Sequence, residues 1–181
     1  DSIAYLKYPH YADSLIQSTR SQSVLKSGEN FSVIKLEEER QRLSSLLRNH
    51  GYYYYRPEFT TYRADTLQKS GYVSLQVVPR NGIPAEAKKQ YYIGNTSVYL
   101  TGYDNEPPTD TLRLRTMTFY YSGKKPGIRP NALMRNVFFR KGELFSQDRQ
   151  TFTQEAIARM GVFRYSEFRY EPKDTTVNGD T

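Results

Sequence analysis

Gly28-Glu29-Asn30-Phe31-Ser32 recurs as Gly142-Glu143-Leu144-Phe145-Ser146, and this repeated G-E-x-F-S stretch decides the fold. The two copies lie 114 residues apart, counted from Gly28 to Gly142. Each copy enters a helix-like stretch that ends at a glycine, Gly51 or Gly161, and leads into an aromatic-rich segment. Self-similarity of this kind indicates a duplicated structural unit before any propensity is considered.

The stretch after each G-E-x-F-S motif carries helix start and stop signals. Ser32 and Ser146 are good N-cap residues, and Phe31 is expected to pack on Leu36 as a hydrophobic staple. Gly51 and its counterpart in the second copy suit the position just past a helix end. The second helix is four residues shorter between its glycines, 19 against 23, which is about one helical turn. A one-turn difference keeps the apolar face nearly in phase.

Weaker helical patterns and strand patterns surround the first motif. Residues 12–23 form a helix-like stretch before it, as residues 130–139 do before the second copy. Residues 3–8 read as a strand, and residues 52–62 and 71–78 alternate well enough to form a hairpin around a polar loop at 63–70. The first unit is therefore predicted to run strand, helix, helix, strand, strand.

The second unit departs from this order. Residues 90–103 and the alternating segment that ends at Tyr121 are expected to form an added hairpin, joined by a loop at 104–110. Residues 162–170 supply the strand after the second helix, and the final strand is expected to be missing, since the chain continues in a polar tail. Asn81-Gly82 and Pro84 mark a break, so we expect domains at residues 1–83 and 84–181.

Composition narrows the classes of function. The absence of cysteine excludes disulfides, zinc sites built on thiolates and thiol catalysis. A net charge of +7 with 17 tyrosines leaves open a basic module that binds nucleic acid or glycan. The basic residues are spread along the chain without a run of five, which favours a solvated surface instead. No segment is apolar for long enough to predict a membrane-spanning helix or a signal peptide.

Enzymatic activity is not expected. Glu37, Glu38 and Glu39 are consecutive in the predicted helix, so they do not share one face as paired acid and base groups, and we expect them to be solvated. His10 and His50 are too isolated for a metal site. Neither a nucleophile with a base nor a glycine-rich phosphate loop is present. We therefore expect no catalytic residues, no metal and no cofactor.

The tandem order and the glycine turn between two helices resemble POTRA domains, the polypeptide-transport-associated repeats that precede the membrane barrel of outer-membrane assembly factors. Residues 36–53 and 128–163 are most similar to the Bacteroidetes-type members of the BamA/TamA-like surface antigen family. The resemblance implies an α+β fold of two tandem βααββ domains, each a small mixed sheet covered by two helices. It also implies a non-catalytic scaffold.

The resemblance further implies a periplasmic location beside the outer membrane and a C-terminal membrane barrel on the same chain. The implied partners are unfolded outer-membrane proteins and accessory assembly lipoproteins, with no nucleic acid. Clients are expected to add as strands to exposed sheet edges at residues 53–61 and 163–170. Proline at Tyr55 or Thr60 is then expected to abolish binding. The predicted contact residues are Tyr53, Tyr55, Glu58, Thr60, Phe163, Tyr165, Glu167 and Arg169.

Overall fold

A computed structural model of the chain describes residues 2–65, 71, 73–102 and 107–173. The first unit has the predicted order of elements: one strand, then two helices, then two strands. They are β1 (Ile3–Tyr5), α1 (His10–Ser18), α2 (Val33–Arg48), β2 (Thr60–Asp65) and β3 (Ser74–Pro79).

The first sheet has β3 in its centre, in the order β1-β3-β2. β1 runs parallel to β3, and β2 runs antiparallel to it. One face of the sheet is covered by α1 and α2, whose apolar stripes supply Ile16, Leu43 and Leu47 to a core that also contains Val77. These four side chains are at most 1% exposed, so the first unit has a hydrophobic core of its own.

The predicted helix signals are confirmed at both copies of the motif. The Ser32 hydroxyl accepts a hydrogen bond from the Lys35 N–H at 3.4 Å, and the Ser146 hydroxyl accepts one from the Arg149 N–H at 3.4 Å. Gly51 and its counterpart in the second copy have positive φ angles of 94° and 67°. The predicted staple is wrong, because Phe31 is 62% exposed.

The second unit places its strands before its helices. It contains β4 (Thr96–Tyr99), β5 (Asp110–Leu114), β6 (Met117–Tyr121), α3 (Pro130–Met134) and α4 (Gln147–Arg159). Its sheet order is β4-β6-β5, again with one parallel and one antiparallel pair. Phe119 of the central strand packs with Leu133 of α3 and Ile157 of α4, so the helices cover this sheet as α1 and α2 cover the first.

The predicted pairing of residues 90–103 with the segment ending at Tyr121 is wrong in direction. β4 lies parallel to β6, and the hairpin is formed by β5 and β6. Its tight turn contains Arg115 at a φ of 53°, the left-handed conformation that short hairpin turns require. The predicted loops at residues 63–70 and 104–110 fall partly on residues 66–70 and 103–106, which lie outside the described residues.

The two predicted edge segments also differ from the structure. Residues 53–59 form turns and a short 3-10 helix, and the strand begins only at Thr60. Among the described residues, 163–170 are assigned to no strand. The expected loss of the final strand concerns residues beyond 173, which lie outside the described part of the chain. The division at residue 83 stays a prediction.

Candidate functional site

The first sheet has two edge strands, and β2 is the one that follows the helices. The Leu75 N–H of β3 donates to the Ser2 carbonyl at 2.8 Å, and the Val77 carbonyl accepts from the Leu6 N–H at 3.0 Å, so these β3 residues face β1. Tyr62 and Ala64 of β2 lie opposite them in the register. Because pairing alternates along an antiparallel ladder, these two residues direct their N–H and C=O groups away from β3. Within the described part of the chain, this edge therefore offers unpaired backbone groups.

Side-chain contacts fix β2 to helix α2. The Tyr62 hydroxyl donates to the Leu36 carbonyl of α2 at 2.6 Å, and the Arg40 guanidinium lies 5.1 Å from the centre of the Tyr62 ring. Burial raises the pKa of Tyr62, which keeps its hydroxyl protonated and able to donate. Ala64 and Arg63 are exposed on the strand. The edge is thus anchored on α2 and still accessible.

Two of the predicted contact residues support the strand from inside the core. Tyr55 is 4% exposed and Thr60 is 1% exposed, and their hydroxyls lie 2.9 Å apart within hydrogen-bonding distance. The Tyr55 N–H donates to the Tyr52 carbonyl at 3.0 Å, so proline at Tyr55 would break a turn instead of blocking an edge. The prediction that Tyr55 offers its backbone to a client is wrong for this reason.

Tyr53 and Glu58 lie outside the strand. Tyr53 is half-buried between the units, and its ring meets that of Phe145 edge to face at a centroid distance of 4.9 Å. Glu58 is exposed in the 3-10 helix, 3.9 Å from Arg56, in an ion pair that contributes little to stability at such exposure. Neither residue belongs to the ladder that would receive a strand.

The four predicted contact residues near the end of the described chain lie on a segment outside any helix or strand, part of which packs on the second unit. Phe163 contacts the cluster around Phe119, while Tyr165 is 73% exposed. Glu167 and Arg169 form an exposed ion pair, with nitrogen and oxygen 3.0 Å apart. The structure does not bring these residues together with β2.

A buried carboxylate in α2 was missed by sequence reasoning. Glu39 is fully buried, and its oxygens accept hydrogen bonds from the Tyr5 hydroxyl at 2.7 Å and from Arg42 at 2.6 and 3.0 Å. The Val24 N–H adds a fourth bond at 3.1 Å. Burial opposes the ionisation of Glu39, but the Arg42 and Tyr5 hydrogen bonds outweigh it and lower the pKa. The expectation of a solvated glutamate is wrong at this position.

This network ties β1 to α2, and the Arg42 guanidinium also donates to the hydroxyl of Thr19, which follows α1, at 3.4 Å. Burial, with Glu39 adding to it, raises the pKa of Tyr5 to about 12, so the hydroxyl remains a donor at neutral pH. Each carboxylate oxygen has two donors, which leaves Glu39 without the free position that an acid or base needs. The arrangement is structural. Its only sequence signal is Arg42 three residues after Glu39, a spacing that places two side chains on one helix face.

The two units meet where α2 ends and α4 begins. The Asn49 side-chain carbonyl accepts from the Asp148 N–H at 2.9 Å and from the Ser146 hydroxyl at 3.2 Å, so it caps the start of α4. The Asn49 amide donates back to the Asp148 carboxylate at 2.9 Å. Beside it, the Tyr91 N–H donates to the Gly51 carbonyl at 2.8 Å. Polar and aromatic contacts therefore join the units directly.

Within the described ranges, no group of three or more histidine, aspartate or glutamate side chains is placed to hold a metal ion. None of the helices described is long and apolar enough to cross a bilayer.

Comparison with known proteins identifies the fold. No protein-family model and no curated protein sequence matches the chain. A solved structure of BamA POTRA3-5 from Haemophilus influenzae matches with a TM-score of 0.51 over 99% of the chain, at 11% sequence identity. The match covers 56% of that solved chain. At this identity the likeness concerns the fold alone, and the fold is that of tandem POTRA-like α+β domains.

Proposed function

We propose that the protein is a non-catalytic scaffold that handles unfolded outer-membrane barrel proteins by accepting them as an added strand on β2. The single observation that carries the proposal is the free edge of β2, on which Tyr62 and Ala64 turn unpaired backbone groups outward. A sheet edge of this kind binds extended chains through main-chain hydrogen bonds with little sequence selectivity. The POTRA-like fold supports the outer-membrane setting.

The setting follows from the fold by analogy. We place the protein in the periplasm, next to the outer membrane, as part of a chain whose C-terminal portion forms a membrane barrel. Accessory assembly lipoproteins are its further proposed partners. The finer assignment to the Bacteroidetes type of the surface antigen family rests on the sequence resemblance of residues 36–53 and 128–163.

Strand addition explains why the edge is anchored and yet exposed. Tyr62 is fixed to α2 through Leu36 and Arg40, so the strand does not have to be ordered when a client arrives. Arg63 and Asp65 place charged side chains along the same strand, and charges on an edge strand limit its association with other sheet edges. A weak, reversible site for many barrel strands fits both properties.

The test is a titration with peptides of about ten residues that alternate apolar and polar side chains, as membrane-barrel strands do. Two variants at one exposed position form a matched pair. Ala64→Pro removes an outward N–H without removing a bond to β3, whereas Ala64→Val keeps the N–H. Amide NMR shifts are measured for β2 in the original chain and in both variants.

We expect the original chain and A64V to show peptide-induced shifts at Tyr62 and its neighbours. We expect A64P to bind the peptide at least about tenfold more weakly. Far-UV circular dichroism and urea unfolding check that A64P is folded. Equal binding by A64P and A64V would show that β2 does not receive the peptide.

A further inference from the structure

A cavity of about 440 Å³ lies beside the carboxyl ends of β1 and β3, between α1 and the segment that leaves the first sheet. Small-molecule sites occupy cavities of roughly 300–1,000 Å³, so this volume is large enough for a ligand. Most of the wall is apolar or aromatic, and its innermost side chains are at most 8% exposed: Tyr8, Ala12, Leu47, Tyr52, Ile83 and Ala87.

Three exposed cations line the same cavity and give it the name used below, the basic cavity. Lys7 lies between β1 and α1, Arg80 directly follows β3, and Lys88 ends the short 3-10 helix at Ala85–Lys88. No aspartate or glutamate lines this cavity, since Glu86 of the same 3-10 helix lies outside it. Within the described part of the chain, none of the three cations forms an ion pair. Their charge is therefore available to a ligand.

The tyrosines of the wall do not supply a negative charge. Burial raises the pKa of Tyr8, of Tyr52 and of Tyr55, so all three hydroxyls are neutral at pH 7. The Tyr55 hydroxyl is also held by the Thr60 hydroxyl at 2.9 Å. Among the described residues that line the basic cavity, neither a carboxylate nor a phenolate balances the three positive charges.

Lys7 has a backbone conformation that favours glycine. Its φ is 67°, and among the described residues only Arg115 shares a positive φ without being glycine. Arg115 lies in a tight hairpin turn that requires this conformation, whereas Lys7 lies in the connection from β1 to α1. Glycine would adopt the same conformation at a lower cost. A lysine held there despite local strain is typical of a side chain with a role in binding.

We propose that the basic cavity binds a single-chain anionic amphiphile, a small molecule with one carboxylate or phosphate head on an apolar body. The head lies at the mouth, where Lys7, Arg80 and Lys88 donate charge-assisted hydrogen bonds. The apolar body lies against Leu47 and Ile83 and is removed from water there. This site is separate from strand addition at β2, so either proposal can fail without the other.

The first experiment is an NMR titration of the complete chain with octanoate, octyl phosphate, octan-1-ol and inorganic phosphate. We expect octanoate and octyl phosphate each to bind at least about tenfold more tightly than the alcohol or the free anion, because only they combine a head with a body. Their two affinities show which head is preferred. Intermolecular NOEs should connect the terminal methyl group of octanoate with the methyl groups of Leu47 and Ile83.

The second experiment compares two adjacent, exposed lysines. Lys88→Gln and Lys89→Gln remove the same charge, but only Lys88 lines the basic cavity. We expect K88Q to weaken octanoate binding about threefold or more, K89Q to change it less, and neither to affect octan-1-ol. Lys7→Gly removes a charge and the local strain together. It should weaken octanoate binding without lowering the free energy of unfolding, which separates a role in binding from a role in folding.

Three results would each overturn the proposal: no shift at the lining residues up to millimolar octanoate, equal affinities for octanoate and octan-1-ol, or equal effects of K88Q and K89Q. Vesicles of phosphatidylglycerol provide a further arm. Binding of the vesicles through Lys7 and Lys88, without binding of octanoate or octyl phosphate, would assign these charges to a membrane surface and would overturn the proposal as well.

Discussion

The glycine that ends α2 gives the most direct test of the joint between the two units. Gly51 has a φ of 94°, and a Cβ at this position would lie 2.7 Å from a methyl carbon of Leu144, 3.3 Å from the Gln90 Cβ and 3.4 Å from the Tyr91 carbonyl oxygen. Its repeat counterpart Gly161 has a φ of 67° and nothing within 4 Å of the same Cβ. Alanine at either position is strained in its backbone, but only one substitution also crowds the joint.

The magnitudes separate the two variants. The left-handed backbone costs alanine about 1–2 kcal/mol at both glycines. Crowding adds about 1–3 kcal/mol at Gly51, and we expect the lower end because the nearest atom is the end of a leucine side chain that can turn. Gly51→Ala should therefore lose about 1 kcal/mol more unfolding free energy than Gly161→Ala.

Urea unfolding followed by far-UV circular dichroism measures the difference. With a slope of about 1–3 kcal/mol per molar urea, the extra loss moves the midpoint by roughly 0.3–1 M. Hydrogen exchange at Tyr91 and Phe145 should rise in G51A and stay unchanged in G161A. Equal stability losses with equal exchange in both variants would refute the close approach of the units at this glycine.

Two further substitutions test contacts that hold the fold. Glu39→Gln should cost about 3 kcal/mol at pH 7, since it breaks a buried ion pair and leaves Arg42 without its carboxylate. Because the folded-state pKa of Glu39 is lowered, its contribution is present above the unfolded value of about 4.3 and is lost as the pH falls through the folded value. Urea unfolding at a series of pH values should show the original chain and E39Q converging in acid, and a constant difference would contradict this account. Asn49→Ala should lower the free energy of unfolding by about 1–2 kcal/mol, because it removes the cap of α4. Hydrogen exchange of the Asp148 N–H, which loses its acceptor, should become faster. Asn136→Ala, which removes a bond within one unit at the end of α3, is the control and should leave exchange at Asp148 unchanged.

The repeat made much of the fold predictable. The G-E-x-F-S motif located both long helices, and local chemistry set their ends: Ser32 and Ser146 cap them, and Gly51 and Gly161 follow them. These signals act over a few residues, so one sequence is enough to read them. The same local signals, together with the strand patterns around them, predict the βααββ order of the first unit.

Pairing between distant segments was harder to predict. β4 is followed by an alternating segment, which suggested a hairpin, but the tight turn at Arg115 pairs β5 with β6 and leaves β4 on the other side. Alternation shows that a strand has two faces and does not show which strand lies beside it.

The aromatic run at residues 52–55 misled the edge prediction for a related reason. Tyrosine favours strands, but Tyr52 and Tyr55 are 3% and 4% exposed and fill the core from a turn, while the strand starts at Thr60. Tertiary packing overrode the propensity. For Glu39 the error concerned burial. A charged residue in a polar run was expected to be solvated, but it is fully buried because Tyr5 and Arg42 donate hydrogen bonds to it.

The central claim, that clients add as a strand on β2, is tested most directly by hydrogen exchange at single residues of that strand during binding of an unfolded barrel protein. The account predicts that the outward N–H groups of Tyr62 and Ala64 become protected, while that of Arg63, already facing Gln76 of β3, changes little. Unchanged exchange at Tyr62 and Ala64 while the barrel protein is bound would contradict it.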